Sequence, residues 1–230
     1  MPSAKIIFIT GTDTGVGKTL LTALLLHHLR AGGCRALAMK PFCSGGRADV
    51  RLLQSLQRGE LPDAEMNPFY FKQPVAPLAA NMGKRKKISL NLVVEKIRAV
   101  ARKCDVLLVE GSGGLLVPLG EAYTVADLIV RLDCEIIVAA RNRLGTINHT
   151  LLTVQALTSM DIARGKISVV LMSGAGRDTS SRTNEQVLAK LLRPIEVAKI
   201  PFLGRKMMRK AAVESKYRVA KATLSGLIGD

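Results

Sequence analysis

The chain has 230 residues, 48% of them hydrophobic, which excludes a disordered polymer and suits one α/β domain with a substantial core. Its net charge of +16 admits a nucleic-acid partner, but aromatics are only 3% of residues and are not interleaved with the basic runs, which counts against a single-strand stacking platform. No apolar run reaches the length of a membrane span, and no basic, apolar and small-residue leader series opens the chain, so a soluble cytoplasmic protein is expected.

The first element is an apolar β-branched run, Ile6 to Ile9, which predicts a short buried strand. It feeds Gly11-Thr12-Asp13-Thr14-Gly15-Val16-Gly17-Lys18-Thr19, and Leu20 to Arg30 then reads as a helix stopped by Gly32 and Gly33. Strand, glycine-rich turn and helix form the context of a phosphate-binding loop. The glycines let backbone N–H groups converge on an anion, and the helix start adds partial positive charge. Lys18 would reach the outer phosphates, and the Thr19 hydroxyl would sit on Mg²⁺. The spacing is unusual, with five residues between Gly11 and Gly17.

Arg35 to Met39 predicts a second strand, delivering Lys40 to the sheet edge where open α/β folds bind ligands. Ser44, Gly45 and Gly46 follow, and Asp49 stands just before a helical pattern of Val50, Leu52, Leu53 and Leu56. Residues 60 to 87 hold four prolines, Pro62, Pro68, Pro74 and Pro77, and read as a long excursion. Leu90 to Lys103 predicts a helix, and Asp105 to Val109 a strand ending on Glu110, then Gly111-Ser112-Gly113-Gly114. An acidic residue ending an apolar strand suits Mg²⁺ in a phosphate-loop enzyme.

Glu135 to Ala139 predicts a strand, and Arg141 to Asn148 leads into a helix running to about Met160, whose exposed N–H groups would hold a carboxylate. Ile167 to Met172 is a further strand, Thr183 to Leu192 a helix, and Ile200 to Gly204 a final strand and turn. Two basic clusters, Lys84 to Lys87 and Arg205 to Lys221, read as solvated surface, the second on a helical tail. Cys34, Cys43, Cys104 and Cys134 lack C-x-x-C spacing and read as reduced, mostly buried thiols, while His27, His28 and His149 lack metal-ligand spacing. The alternation of strands and helices predicts a single domain over 1–230, a mostly parallel sheet with helices on both faces, of the P-loop NTPase type.

The phosphate loop at 11–19, Lys40-Pro41 with Ser44-Gly45, Asp49, Val109 to Gly114 and Leu144 to His149 together resemble dethiobiotin synthetase over positions 5 to about 204. That family uses the long phosphate loop. The resemblance implies a homodimer that closes the ureido ring of 7,8-diaminopelargonic acid from CO₂ and ATP with Mg²⁺, through a carbamic–phosphoric anhydride. It assigns Lys18, Lys40 and Thr14 to catalysis and Thr19, Asp49 and Glu110 to Mg²⁺. Nucleotide contacts would come from Gly15, Val16, Gly17, Lys18, Thr19, Leu20, Asp49, Glu110, Gly111, Ser112, Gly113, Ser173, Pro201, Phe202 and Leu203. Thr14 and Ser44 would hold the carbamated diamine, and Leu144, Gly145, Thr146, Ile147 and Asn148 of the other subunit its carboxylate. Ser173 stands where many members carry an adenine-reading Asn, Arg143 where some carry Lys, and the tail after Gly204 matches no part of the family. Two rivals fit less well, one an enzyme of the same ATPase superclass and the other a binding switch of a different class. An amide synthase of the cobyrinic acid type needs an amidotransferase domain, and partitioning or septum-site ATPases need an early loop lysine where Thr12-Asp13-Thr14 stands.

Overall fold

The computed structural model describes residues 4–83, 87–176, 178–204 and 206–228. In chain order the elements are β1 (Lys5–Gly11), α1 (Lys18–Ala31), β2 (Ala36–Met39), β3 (Phe42–Ser44), α2 (Ala48–Leu56), α3 (Asp63–Met66), β4 (Phe69–Phe71) and α4 (Pro77–Asn81). Then come α5 (Leu90–Ala101), β5 (Val106–Glu110), β6 (Pro118–Gly120), β7 (Tyr123–Thr124), α6 (Val125–Leu132) and β8 (Glu135–Asn142). The chain closes with α7 (Thr146–Thr158), β9 (Ile167–Ser173), α8 (Asn184–Leu191), β10 (Glu196–Ile200) and α9 (Lys210–Ile228).

Six strands form one parallel sheet in the order β10-β9-β8-β1-β5-β2, with helices around it. Successive strand residues point to opposite faces, so the unbroken burial of Leu107 to Glu110 and of Ile136 to Ala140 means that both faces are covered. Strand β5 inserts between β1 and β2, and the chain then crosses to β8 on the far side of β1. The order therefore reverses at β1, and the crevice at such a reversal is the natural ligand site.

Leu21, Leu24, Leu25 and Leu26 of α1 are fully buried, which fixes the helix behind the phosphate loop. Each such leucine contributes roughly 1.5–3 kcal/mol relative to an exposed one. Helix α9, expected as a solvated basic tail, instead packs Val213, Ala220, Leu224 and Leu227 into the core and lies against α1. Its Tyr217 hydroxyl is 2.6 Å from His28 Nδ1, and His27 meets the same ring edge-on.

Several boundaries differ from expectation. The last strand ends at Ile200 instead of beginning there, because Pro201 lacks an N–H and cannot extend the ladder with β9. Asp49 lies in the first turn of α2, and Arg141 and Asn142 belong to β8. Sequence periodicity assigns nothing between Gly114 and Glu135, yet the chain makes β6, β7 and α6 there. The signal was present: Thr124 and Asp127 form a reciprocal capping box, followed by buried Val125, Leu128, Ile129 and Leu132. Of the first basic cluster, Lys84, Arg85 and Lys86 lie outside the described residues, while Lys87 pairs with Glu121 at 2.7 Å.

Candidate functional site

The loop between β1 and α1 takes its shape from left-handed glycines. Gly17 caps α1 with φ 107°, and a side chain there would begin 3.0 Å from Met172 Cγ of β9. No side chain caps the helix, so its first-turn N–H groups, which have no intrahelical acceptor, face the loop interior. They are the donors that an anionic phosphate would meet.

The glycine loop after β5 lies against this one. Gly113 has φ 66°, and a side chain there would begin 2.6 Å from Val117 Cγ2 and 3.5 Å from the Thr14 hydroxyl. The next residue, Gly114, passes equally close to the Gly11 and Thr12 carbonyls. Ser112 fastens this loop by donating to the Phe42 carbonyl at 2.7 Å, which ties β5 to the segment after β2.

Charged side chains from four segments meet in this crevice. Lys18, only 7% exposed, folds back and donates to the Asp13 carbonyl at 2.8 Å. Thr19 donates its hydroxyl proton to Glu110 Oε1 at 2.7 Å. Lys40 Nζ reaches the same oxygen, also at 2.7 Å, and pairs with Asp49. Glu110 is 1% exposed, and its second oxygen, Oε2, is buried without a hydrogen-bond partner among the described residues. A buried carboxylate oxygen left unsatisfied is costly, and it marks where a cation or donor belongs.

Burial pulls the Lys18 ammonium down to about 8, with Glu110 opposing the fall and Lys40 adding to it. Burial would lower Lys40 as well, but the charges of Glu110 and Asp49 and their hydrogen bonds outweigh it. Lys40 is held above the ordinary lysine range and stays charged at neutral pH. One ammonium is thus locked by carboxylates and the other is held by a carbonyl alone, ready to turn towards an incoming anion.

The remaining sequence-selected residues divide into two groups. Ser44 ends β3 in the segment that follows Lys40, half-buried. Ser173 ends β9, in register with Asn142 of β8, and the neighbouring Met172 borders Gly17. Ile200 of β10 is in register with Met172, so exposed Pro201 and Phe202 and buried Leu203 follow at the same edge. No hydrogen bond or ion pair among the described residues joins Leu144 to Asn148 with the lysine–carboxylate cluster. Leu144 is 80% exposed, and its backbone N–H donates to Asp178 at 2.6 Å. Asp178, Asn142 and Asn184, which sequence reading passed over, brace this turn. Asn184 donates to Asn142 at 2.9 Å and to the Arg143 carbonyl at 3.2 Å, and Asn142 to the Ser181 carbonyl at 3.0 Å.

An AAA-domain family model matches residues 5–206. ATP-dependent dethiobiotin synthetase BioD of Anaeromyxobacter sp. strain Fw109-5 is 36% identical over 230 residues, covering 96% of this chain and 98% of that protein. The enzyme of the same name from Bacillus subtilis strain 168 is 35% identical over 204 residues, covering 86% of this chain and 84% of its own. The chain belongs to the dethiobiotin synthetase family. Another member, from Anaeromyxobacter dehalogenans strain 2CP-C, is 40% identical over 200 residues, covering 85% of this chain and 89% of that relative. The family's strand–loop–helix frame is shared more widely. The MinC:MinD cell division protein complex of Aquifex aeolicus matches with a TM-score of 0.66 over 99% of this chain and 97% of that one, at 16% identity. At that identity the likeness to MinD is one of fold, and it extends the septum-site reading no further.

Proposed function

We propose that this protein is an ATP-dependent dethiobiotin synthetase, a cyclo-ligase of biotin biosynthesis. It closes the ureido ring of 7,8-diaminopelargonic acid with CO₂. Family membership supports the reading, and one observation carries it at the level of chemistry. Lys18, Thr19, Lys40 and Asp49 gather around the buried Glu110 carboxylate beside the phosphate loop.

Phosphoryl transfer to an anionic nucleophile needs in-line positioning and quenched repulsion. One substrate amine, carbamated by CO₂, presents a carbamate oxygen to the γ-phosphorus. The P–O bond to ADP breaks as the new one forms. The second amine then attacks the carbamoyl carbon, expels phosphate and loses its proton. Lys40, charged and fixed, neutralises the carbamate and the γ-phosphate oxygens, while Lys18 leaves the Asp13 carbonyl for the phosphates. The hydroxyls of Thr14 and Ser44 hold the carbamated diamine, and Gly113 lets the backbone approach the anhydride.

Thr19, Asp49 and Glu110 supply only oxygen donors, and Glu110 Oε2 has no other partner among the described residues, so the set fits the hard cation Mg²⁺. Held there, Mg²⁺ would supply positive charge against the transferred phosphoryl group. The nucleotide lies over Gly15 to Leu20, touches Gly111 and Ser112, and places its base between Ser173 and the Pro201–Leu203 segment.

The working unit is a homodimer in the cytoplasm. Exposed Leu144, in the turn before α7, and Leu152 of α7 belong to the contact, and the segment Leu144 to Asn148 of a second copy receives the substrate carboxylate. Purified protein with the diamine, bicarbonate, Mg²⁺ and each nucleotide in turn should yield dethiobiotin by mass. Absence of that mass with every nucleotide, in protein that still binds one, would reject the reading.

A further inference from the structure

Opposite the phosphate loop, at the edge where the sheet strands begin, the ends of α1 and α2, the start of β2, the turn after α5 and the start of α9 line a cleft of about 580 Å³. This is the size range of small-molecule sites. Five cations line it, Arg30, Arg35, Arg58, Lys103 and Lys210, with the carboxylates Glu60 and Glu214 in the lining and Asp105 and Glu65 paired to two of the cations from outside it. A helix C-terminus attracts one or two basic residues by its dipole, but these five come from several separate segments. Lys210 belongs to α9, beyond the residues that the family model matches. The tail after Gly204, expected to match no part of the family, is nevertheless largely spanned by the alignment with the Anaeromyxobacter sp. strain Fw109-5 relative, which covers 96% of this chain.

Most of these cations have carboxylate partners. Arg30 pairs with Glu60, Arg35 with Asp105 at 2.6 Å, Lys103 with Glu65, and Lys210 with Glu214 at a loose 3.8 Å. The pairs are solvent-accessible, Arg35 being 73% exposed at its side chain. Exposed pairs held through one contact, as Lys103–Glu65 and Lys210–Glu214 are, contribute little, so a denser anion can take these two lysines, while Arg30 and Arg35 are each forked onto a carboxylate through two hydrogen bonds. Arg58 has no ion pair among the described residues, and it holds φ at 53°, a left-handed backbone that disfavours a residue with a Cβ.

We propose that this cleft is a second anion site, taking a linear oligophosphate of two or three phosphoryl units. The guanidinium fork of Arg58 matches phosphate oxygens, and Lys103 and Lys210 line the same cleft as point charges. Among the described residues no Phe, Tyr or Trp side chain lines the cleft to stack a base, so the phosphate chain is the recognised part. The site stands apart from the ring-closing chemistry and does not rest on it. It sits at the far ends of α1 and β2, whose other ends carry Lys18 and Thr19, and Lys40.

The test is calorimetric titration of inorganic tripolyphosphate into the full-length Lys18→Ala protein, which weakens phosphate binding at the other edge. Binding is expected to persist, to weaken at least tenfold when Arg58→Ala and Lys210→Ala are added, and to weaken further with salt. No binding to the Lys18→Ala protein, or an affinity unmoved by the two added changes, overturns the site. If that variant melts early, Arg58→Gly with Lys210→Gln replaces it, since glycine accepts the left-handed backbone at position 58. The same expected and overturning results apply.

Discussion

The hydroxyl of Thr19 and the carboxylate of Glu110 are 91 positions apart in the chain and 2.7 Å apart in space. One ends the phosphate loop, and the other ends a neighbouring strand of the sheet. Their contact, shared with Lys40 through the same Glu110 oxygen, joins the start of α1, the end of β5 and the residue after β2 at one edge of the sheet.

Glu110→Gln tests that junction in two ways. It leaves buried Lys40 with only Asp49 as a charged partner, and breaking a buried pair costs about 3–5 kcal/mol. Thermal unfolding should therefore shift down, and phosphate release should fall at least a hundredfold at any Mg²⁺ concentration. A variant with wild-type turnover and wild-type melting would remove Glu110 from both roles.

Lys40→Ala should abolish phosphate release while nucleotide still binds. Losing one preorganised charge on a developing anion costs about 10²–10³ in kcat. Fluorescent-nucleotide titration beside a phosphate-release assay separates the two steps, and near-normal turnover would exclude Lys40 from the chemistry.

Lys18 gives the protein a pH signature. Its folded value is about 8 against 10.5 unfolded, so between those values the unfolded chain holds more protons. The stability linked to this residue is least below pH 8 and rises as pH climbs towards 10.5. Lys18→Met should remove that rise, which urea titrations across pH 7.5–10 would read. A triphosphate favours the charged ammonium, so nucleotide binding near pH 8.5 should take up protons. Calorimetry in buffers of different ionisation enthalpy would detect the uptake, and a buffer-independent heat would contradict it.

The turn at Leu144 predicts a different split. Asn184→Ala removes donors to Asn142 and to the Arg143 carbonyl, costing about 1–3 kcal/mol through the acceptors it strands. The KM for the diamine should rise severalfold with kcat and nucleotide affinity nearly unchanged. A parallel loss of nucleotide affinity would mean that the variant merely loosens the fold.

The frame was legible in the sequence because burial leaves a local record. Ile6 to Ile9, Val106 to Val109 and Ile136 to Ala139 are apolar without alternation, the mark of strands covered on both faces. Lys18, Lys40 and Glu110 could be placed at the working edge because each follows or ends such a run. The short α6 was missed although its capping box was in view. The fate of α9 was misread because a basic helix looks solvated until something covers its apolar stripe.

By itself, then, the chain's order of residues determined five of the six central strands, the phosphate loop and the family; it left β3, β4, β6 and β7 unassigned and set the last strand at Ile200 to Gly204 instead of Glu196–Ile200. Only the tertiary structure decided that Glu110 stands between Thr19 and Lys40, that Asp178 takes the Leu144 N–H, and that five cations from separate segments line one cleft behind the sheet. The reason is physical. Periodicity and turn chemistry report whether a side chain is covered, whereas its partner is fixed by strand order and crossover. Those join residues tens of positions apart, and no local pattern encodes them.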